Sequence, residues 1–174
     1  MRTWHIGCHA LPPSELTLLR FYVVNIMEVH PDFRDLLALL NKHGVEYVIV
    51  GGYALAFHGA PRFTGDVDVF VRPTPENAKR IVDALSDFGF PRAGLDQEDF
   101  AAPNKVIQLG VPPVRVDLIT SISGVTWSET QAHREPGYFG DVPVYYIGRT
   151  DFIINKRTAA RQKDLADLEA LDER

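Results

Sequence analysis

Strands interleaved with helices predict an α/β (or α+β) domain built on a mixed β-sheet. Three observations carry that expectation. Short β-rich runs, EYVIV over residues 46–50 and DVDVFV over residues 66–71, end at glycine or proline. The segments around them place apolar residues at helical spacing. The chain of 174 residues is 45% hydrophobic and 24% charged, the balance of a globular domain with a core of ordinary size.

Residues 32–43 bring Phe33, Leu36, Leu37 and Leu40 onto one stripe, so they predict an amphipathic helix that stops at Gly44. Residues 46–50 predict a buried strand ended by Gly51-Gly52, and residues 53–58 a short helix. Residues 59–65 form a loop holding Pro61, Arg62 and Thr64. Residues 66–71 alternate strictly and predict a strand. Thr74 caps the next helix with Pro75 at its first position, Ile81, Val82, Leu85 and Phe88 mark its buried stripe, and Gly89 closes it. A loop rich in Asp, Glu and Pro follows. Residues 105–109 and 114–119 predict two strands divided by Gly110 and Pro112-Pro113. Residues 125–135 read as helical, and residues 138–147 as one or two strands around Gly140-Asp141. From Thr150, a second cap candidate, helical pattern runs to the end with a break near Gln162, and Leu165, Leu168 and Leu171 face the core.

Residues 1–26 read differently and are expected to be an N-terminal extension, with Met27 as the physiological start of a single domain over residues 27–174. Peptide mass spectrometry of the native N-terminus tests this. No apolar run approaches the roughly 18 residues that span a bilayer, so no membrane partner is expected. A lone cysteine, Cys8, forms no internal disulfide, which fits a reducing cytoplasm. The net charge of −5 excludes global attraction to nucleic acid, so any such contact must come from a local patch.

Chemistry concentrates in the acids. Asp66 and Asp68, two apart on a strand, share a face about 7 Å apart at the backbone, while Val67 and Val69 turn to the core. Two such carboxylates repel, and a divalent cation relieves the repulsion; their hard oxygens suit Mg2+ or Mn2+. Asp117, flanked by Val116 and Leu118, projects from the polar face of a later strand. If the two strands are neighbours, three carboxylates meet, the apparatus for two-metal phosphoryl or nucleotidyl transfer. Asp-x-Asp alone also occurs on solvated strand edges. Gly51 and Gly52 at a strand-to-helix junction let a phosphate approach the backbone, or serve only a tight turn. Arg62 reaches a phosphate or stays solvated, and Thr64 could order the loop. Lys156 and Lys163, seven apart, share a helical face if the helix is continuous, and could clamp the β- and γ-phosphates. Ordinary ion pairs, such as Lys163 with Asp167, are the alternative. Tyr53, Trp127, Tyr138 and Tyr145 are candidates to stack on a base, and His58 is read as structural.

The string GGYALAFHG–APRFTGDVDVFV, with the third acid Asp117 downstream, resembles the signature of the DNA polymerase beta-like nucleotidyltransferase superfamily. The tail DFIINKRTAARQKDLADLEAL resembles that of small bacterial members, including toxin-like proteins related to the AbiE abortive-infection system. The resemblance covers about residues 32–172. It implies a mixed sheet with flanking helices and a nucleoside triphosphate donor. It assigns both metals to Asp66 and Asp68, completion of the catalytic one to Asp117, and the triphosphate cradle to Gly51 and Gly52. The implied reaction transfers a nucleoside monophosphate to an unidentified hydroxyl of a transfer RNA, protein or small molecule, within a toxin–antitoxin system that would supply an antitoxin or other partner protein. The alternative is a non-catalytic nucleotide-binding or interaction module.

Overall fold

The computed structural model describes residues 30–90, 94–111 and 114–172. The expected extension over residues 1–26, and the start at Met27, lie outside the described residues, as does the Pro112-Pro113 link.

The elements follow the apolar periodicity. Helix α1 (Pro31–Lys42) buries Phe33, Leu36, Leu37 and Leu40. Strand β1 (Tyr47–Val50) is buried along its whole length, as a central strand covered on both faces must be. Helix α2 (Gly51–Phe57) begins at Gly51, two residues before the predicted start, with no residue between it and β1. Strand β2 (Asp66–Val71) turns Val67 and Val69 into the core and leaves Asp66 and Asp68 half-buried on the other face. Helix α3 (Pro75–Phe88) has the predicted Thr74 cap and a left-handed Gly89 at its end. Its stripe is buried except at Phe88, which is half-buried and stacks on Phe90.

The acidic loop that follows contains an unpredicted short helix, α4 (Gln97–Ala101). Asp96 and Asp99 form a reciprocal capping box there, and Phe100 anchors the turn in the core. Strands β3 (Val106–Val111) and β4 (Val114–Ile119) are an antiparallel pair. Helix α5 (Trp127–His133), capped by Thr126, is followed at once by β5 (Glu135–Phe139) and β6 (Val142–Tyr146). The last helical stretch is two helices, α6 (Arg149–Ala159) and α7 (Gln162–Ala170). Gly148, not Thr150, is the N-cap of α6. Ala160 adopts φ +49 and breaks the helix two residues before the expected point.

The sheet order is β3-β4-β2-β1-β6-β5. The β1–β6 and β2–β4 pairs are parallel and the other three antiparallel, so the sheet is mixed, as expected. The order matters because β4 lies directly beside β2, in parallel, with Asp68 opposite Asp117 and Asp66 opposite Arg115.

Candidate active site

One cleft of about 410 Å³ is lined by all nine residues singled out from the sequence as acids or phosphate contacts: Gly51, Gly52, Arg62, Thr64, Asp66, Asp68, Asp117, Lys156 and Lys163. A larger cavity of about 910 Å³ lies between β5, β6 and the start of β1 and contains none of them. Its lining is more apolar than polar, and the three aspartates singled out from the sequence all lie in the smaller cleft.

The parallel β2–β4 register sets the acids. Strands stand about 4.8 Å apart, so residues opposite in register are near neighbours on one face. Asp66 and Asp68 project from β2, and Asp117, buried, from β4. The diglycine turn closes the site from below. Gly51 has φ +63, and a Cβ added there would stand 1.9 Å from Asp68 Oδ2. A Cβ on Gly52 would meet the Thr64 side chain at 3.0 Å. Both glycines are therefore needed for close packing against the acid-bearing strand and its preceding loop. Thr64 Oγ1 donates to Asp66 Oδ1 at 2.6 Å, fixing that carboxylate.

The carboxyl of Asp68 is pushed above its ordinary range, first by burial and then by the negative charges of Asp66 and Asp117; Lys163 and Lys156 act in the opposite sense. Asp117 Oδ1 is buried and accepts no hydrogen bond. Hard carboxylate oxygens, an unsatisfied buried one among them, and excess negative charge are what a divalent cation would relieve. The donor set therefore fits Mg2+ or Mn2+. As the side chains lie, no group of three His, Cys, Asp or Glu among the described residues is gathered closely enough to enclose an ion. A cation of the chain's own is present instead. Arg115 pairs with Asp66, and its Nε lies 2.9 Å from Asp117 Oδ1 without hydrogen-bond alignment.

The basic residues divide into two groups. Lys156 is buried, its Nζ 2.7 Å from Asp164 and 2.8 Å from Asp167. Arg62 forms a bidentate pair with Asp167 at 2.7 and 3.2 Å. Arg161 does the same with Asp164 at 2.6 and 3.2 Å. This network of two acids and three bases ties the loop before β2 to α6 and α7. The alternative reading, a Lys163–Asp167 pair, is not realised, because Asp167 pairs with Arg62 and Lys156. Lys163 is exposed at the cleft, close enough for its charge to act on Asp68. Lys156 and Lys163 do not share a continuous helical face, since the break at Ala160 separates them.

The same network explains why Leu165 does not face the core. The inward side of α7 is Asp164, Asp167, Leu168 and Leu171, at helical spacing, and Leu165 is 50% exposed. Of the aromatic candidates none lines the cleft. Tyr53 is buried against Phe33 and Phe139, Trp127 packs on Phe70, and Tyr138 and Tyr145 lie at the larger cavity. His58 is buried with Nε2 2.8 Å from the Ile147 carbonyl, a structural position. Sequence reading missed Arg115, whose importance comes from cross-strand register, and Phe63. Phe63 is 91% exposed between two cleft residues, and that flanking was its only signal.

A structure from Thermotoga maritima, provisionally named a nucleotidyltransferase, superposes with a TM-score of 0.51 at 14% identity, covering 98% of this chain and all of the other. At that identity the likeness concerns the fold, and it agrees with the architecture expected from the sequence. No curated protein sequence matches the chain. The family of the nucleotidyl transferase AbiEii toxin, of type IV toxin–antitoxin systems, matches residues 34–173. With four-fifths of its length so matched, the chain belongs to the AbiEii nucleotidyltransferase toxin family, an enzyme of nucleotidyl transfer within a toxin–antitoxin system.

Proposed function

We propose that this nucleotidyltransferase moves a nucleoside monophosphate from a nucleoside triphosphate to a hydroxyl acceptor, with Mg2+ or Mn2+ held by Asp66, Asp68 and Asp117. The observation that carries the reading is the alignment of Asp68 with Asp117 across two parallel strands, beside the diglycine turn. When bound, the cation supplies neutralising charge at the α-phosphate and lowers the pKa of the attacking hydroxyl. Asp117, whose Oδ1 accepts no hydrogen bond and faces Arg115 Nε at 2.9 Å, accepts the hydroxyl proton. The acceptor oxygen forms its bond to the α-phosphorus as the bond to the bridging oxygen breaks, and pyrophosphate leaves. Gly51 and Gly52 bring backbone to the cleft wall, where the phosphate chain would lie beside the acids. Lys163, exposed at the cleft, contacts the β- and γ-phosphates.

Three residues act at one remove. Thr64 holds Asp66 by its hydrogen bond. Lys156 and Arg62 are committed to Asp164 and Asp167, so they position the loop and α7 around the cleft. We take residues 27–174 as the catalytic unit and the cytoplasm as its place of action. The acceptor is a transfer RNA end, a protein hydroxyl or a small molecule, and the toxin–antitoxin family supplies an antitoxin as counterpart.

The test is label transfer. Each of the four α-labelled triphosphates is incubated with the protein, Mg2+ and a cell lysate. We expect one acceptor to be labelled and Asp117→Asn to slow labelling by about 10²–10⁴-fold, the range for losing a general base. Equal labelling by Asp117→Asn would remove Asp117 from the reaction.

A further inference from the structure

We propose that Arg115 is a tethered counter-ion that competes with the divalent cation for Asp66 and Asp117. The proposal rests on the metal-binding reading above and extends it to a residue outside that set. Asp66, Asp68, Arg115 and Asp117 form a two-by-two array on one face of neighbouring parallel strands, with Asp66 opposite Arg115 and Asp68 opposite Asp117. Three negative charges and one positive charge therefore share a patch two residues long and two strands wide.

The guanidinium spans the array. It pairs with Asp66 on its own register level, and its Nε comes within 2.9 Å of Asp117 two residues along β4. This arrangement offsets about one of the three charges and leaves Asp68 facing two carboxylates. The contact with Asp117 is close but misaligned: both Arg115 Nε and Asp117 Oδ1 are buried without a hydrogen bond. An attraction of this kind is Coulombic and lacks the directional contribution of a bidentate fork. It holds the carboxylates in the absence of another cation and yields them readily. The side chain is 28% exposed and lines the open cleft, so the guanidinium has room to leave.

A divalent ion brings twice the charge to the same oxygens, and the arginine it displaces is then repelled as a like charge. Without metal, the arginine offsets part of the repulsion among the acids at the expense of metal affinity. The arginine makes the chain stable without metal and sets the cation concentration at which the site fills.

The test measures metal binding directly. Metal-stripped full-length chain is titrated with Mn2+ alone, followed by electron paramagnetic resonance, for the natural sequence, Arg115→Met and Arg115→Lys. We expect Arg115→Met to bind Mn2+ about tenfold or more tightly, the effect of removing one like charge a few ångströms away. In EDTA it should melt below the natural protein, and Mn2+ should raise its melting temperature more. Arg115→Lys, shorter and without the fork, should bind with intermediate affinity; it carries the test if Arg115→Met does not fold. Unchanged or weaker Mn2+ binding by the folded variants, with the natural chain binding normally, overturns the proposal and leaves the metal reading intact. Failure of the natural chain and the variants alike to bind Mn2+ overturns both.

Discussion

At the scale of the residue, the site is built from constraints that single substitutions can isolate. Gly51 combines a left-handed backbone with contact to Asp68, so its replacement strains the turn and pushes the carboxylate out of position. The left-handed conformation costs an L-residue about 1–2 kcal/mol. The far end of the Asp68 side chain, in contrast, moves at little cost. Gly51→Ala should therefore lower stability by about 1–2 kcal/mol while lowering nucleotidyl transfer far more, as read by thermal melts beside label transfer. A variant that lost stability but kept its transfer rate would show that Asp68 need not stay where the diglycine turn puts it. Phe63 makes the opposite case. It is exposed, and its chain neighbours Arg62 and Thr64 line the cleft. A solvent-facing ring there offers a flat surface for a base, worth about 1–3 kcal/mol when stacked. Phe63→Ala should leave the melting temperature unchanged and raise the KM for triphosphate or acceptor about tenfold; an unchanged KM for both would exclude a stacking role. The sequence revealed the acids and glycines because their chemistry is local. Arg115 was not legible, because its partner Asp66 is 49 positions away and meets it only through strand register.

At the scale of the element, α7 is held by charge where an ordinary amphipathic helix is held by leucines. Its inward face carries Asp164 and Asp167, which Lys156, Arg161 and Arg62 neutralise. The leucine spacing alone pointed to Leu165, and period-based reading failed there because it assumes that inward positions are apolar. Likewise α4 escaped notice because five residues are too few to show a stripe, although Asp96 and Asp99 carried a cap signal. The longer helices α1 and α3, with two or more turns of stripe, were legible almost to the residue. Two predictions follow from the charged clamp. Lys156→Met leaves two buried carboxylates with one partner each, and should cost about 3 kcal/mol in chemical denaturation, in line with broken buried pairs. The second concerns acid. Burial opposes the charge on Asp164, but Arg161 and Lys156 outweigh it and hold the carboxyl down from the ordinary 3.8 to about 2. A depressed carboxylate stabilises the fold above its unfolded-state pKa, and that contribution is lost as pH falls through the folded value. It is fully present above about pH 4 and disappears between there and about pH 2, amounting to about 2 kcal/mol. The melting temperature should fall steeply in that window, and Asp164→Asn should flatten the fall. Equal pH dependence in the two proteins would show that other groups govern acid unfolding.

At the scale of the whole molecule, the question is whether an acidic enzyme can grip a nucleic-acid acceptor. The chain carries a net −5, and its densest basic stretch, residues 149–163, holds five bases against one acid. Read linearly, that stretch is a candidate phosphate track. Folded, three of the five bases are already committed to the protein: Arg149 donates to the carbonyls of His58 and Leu171, Lys156 is buried between two aspartates, and Arg161, though exposed, is paired with Asp164. Lys163, exposed at the cleft, is the cation of this stretch best placed to meet a phosphate. The sheet order explains the economy, because it gathers the proposed catalytic groups at one cleft. A transfer RNA would then be held at its single-stranded end, with few phosphates neutralised, and most of the discrimination would come from fit to the cleft. For one or two phosphate contacts on a single strand, log K should fall with log salt with a slope of about −1, given about −0.7 per contact. The measurement is fluorescence anisotropy of a labelled single-stranded transfer RNA end between low and physiological salt. A slope steeper than about −4 would require six or more phosphates in contact, and would show that the acceptor wraps a surface well beyond the cleft.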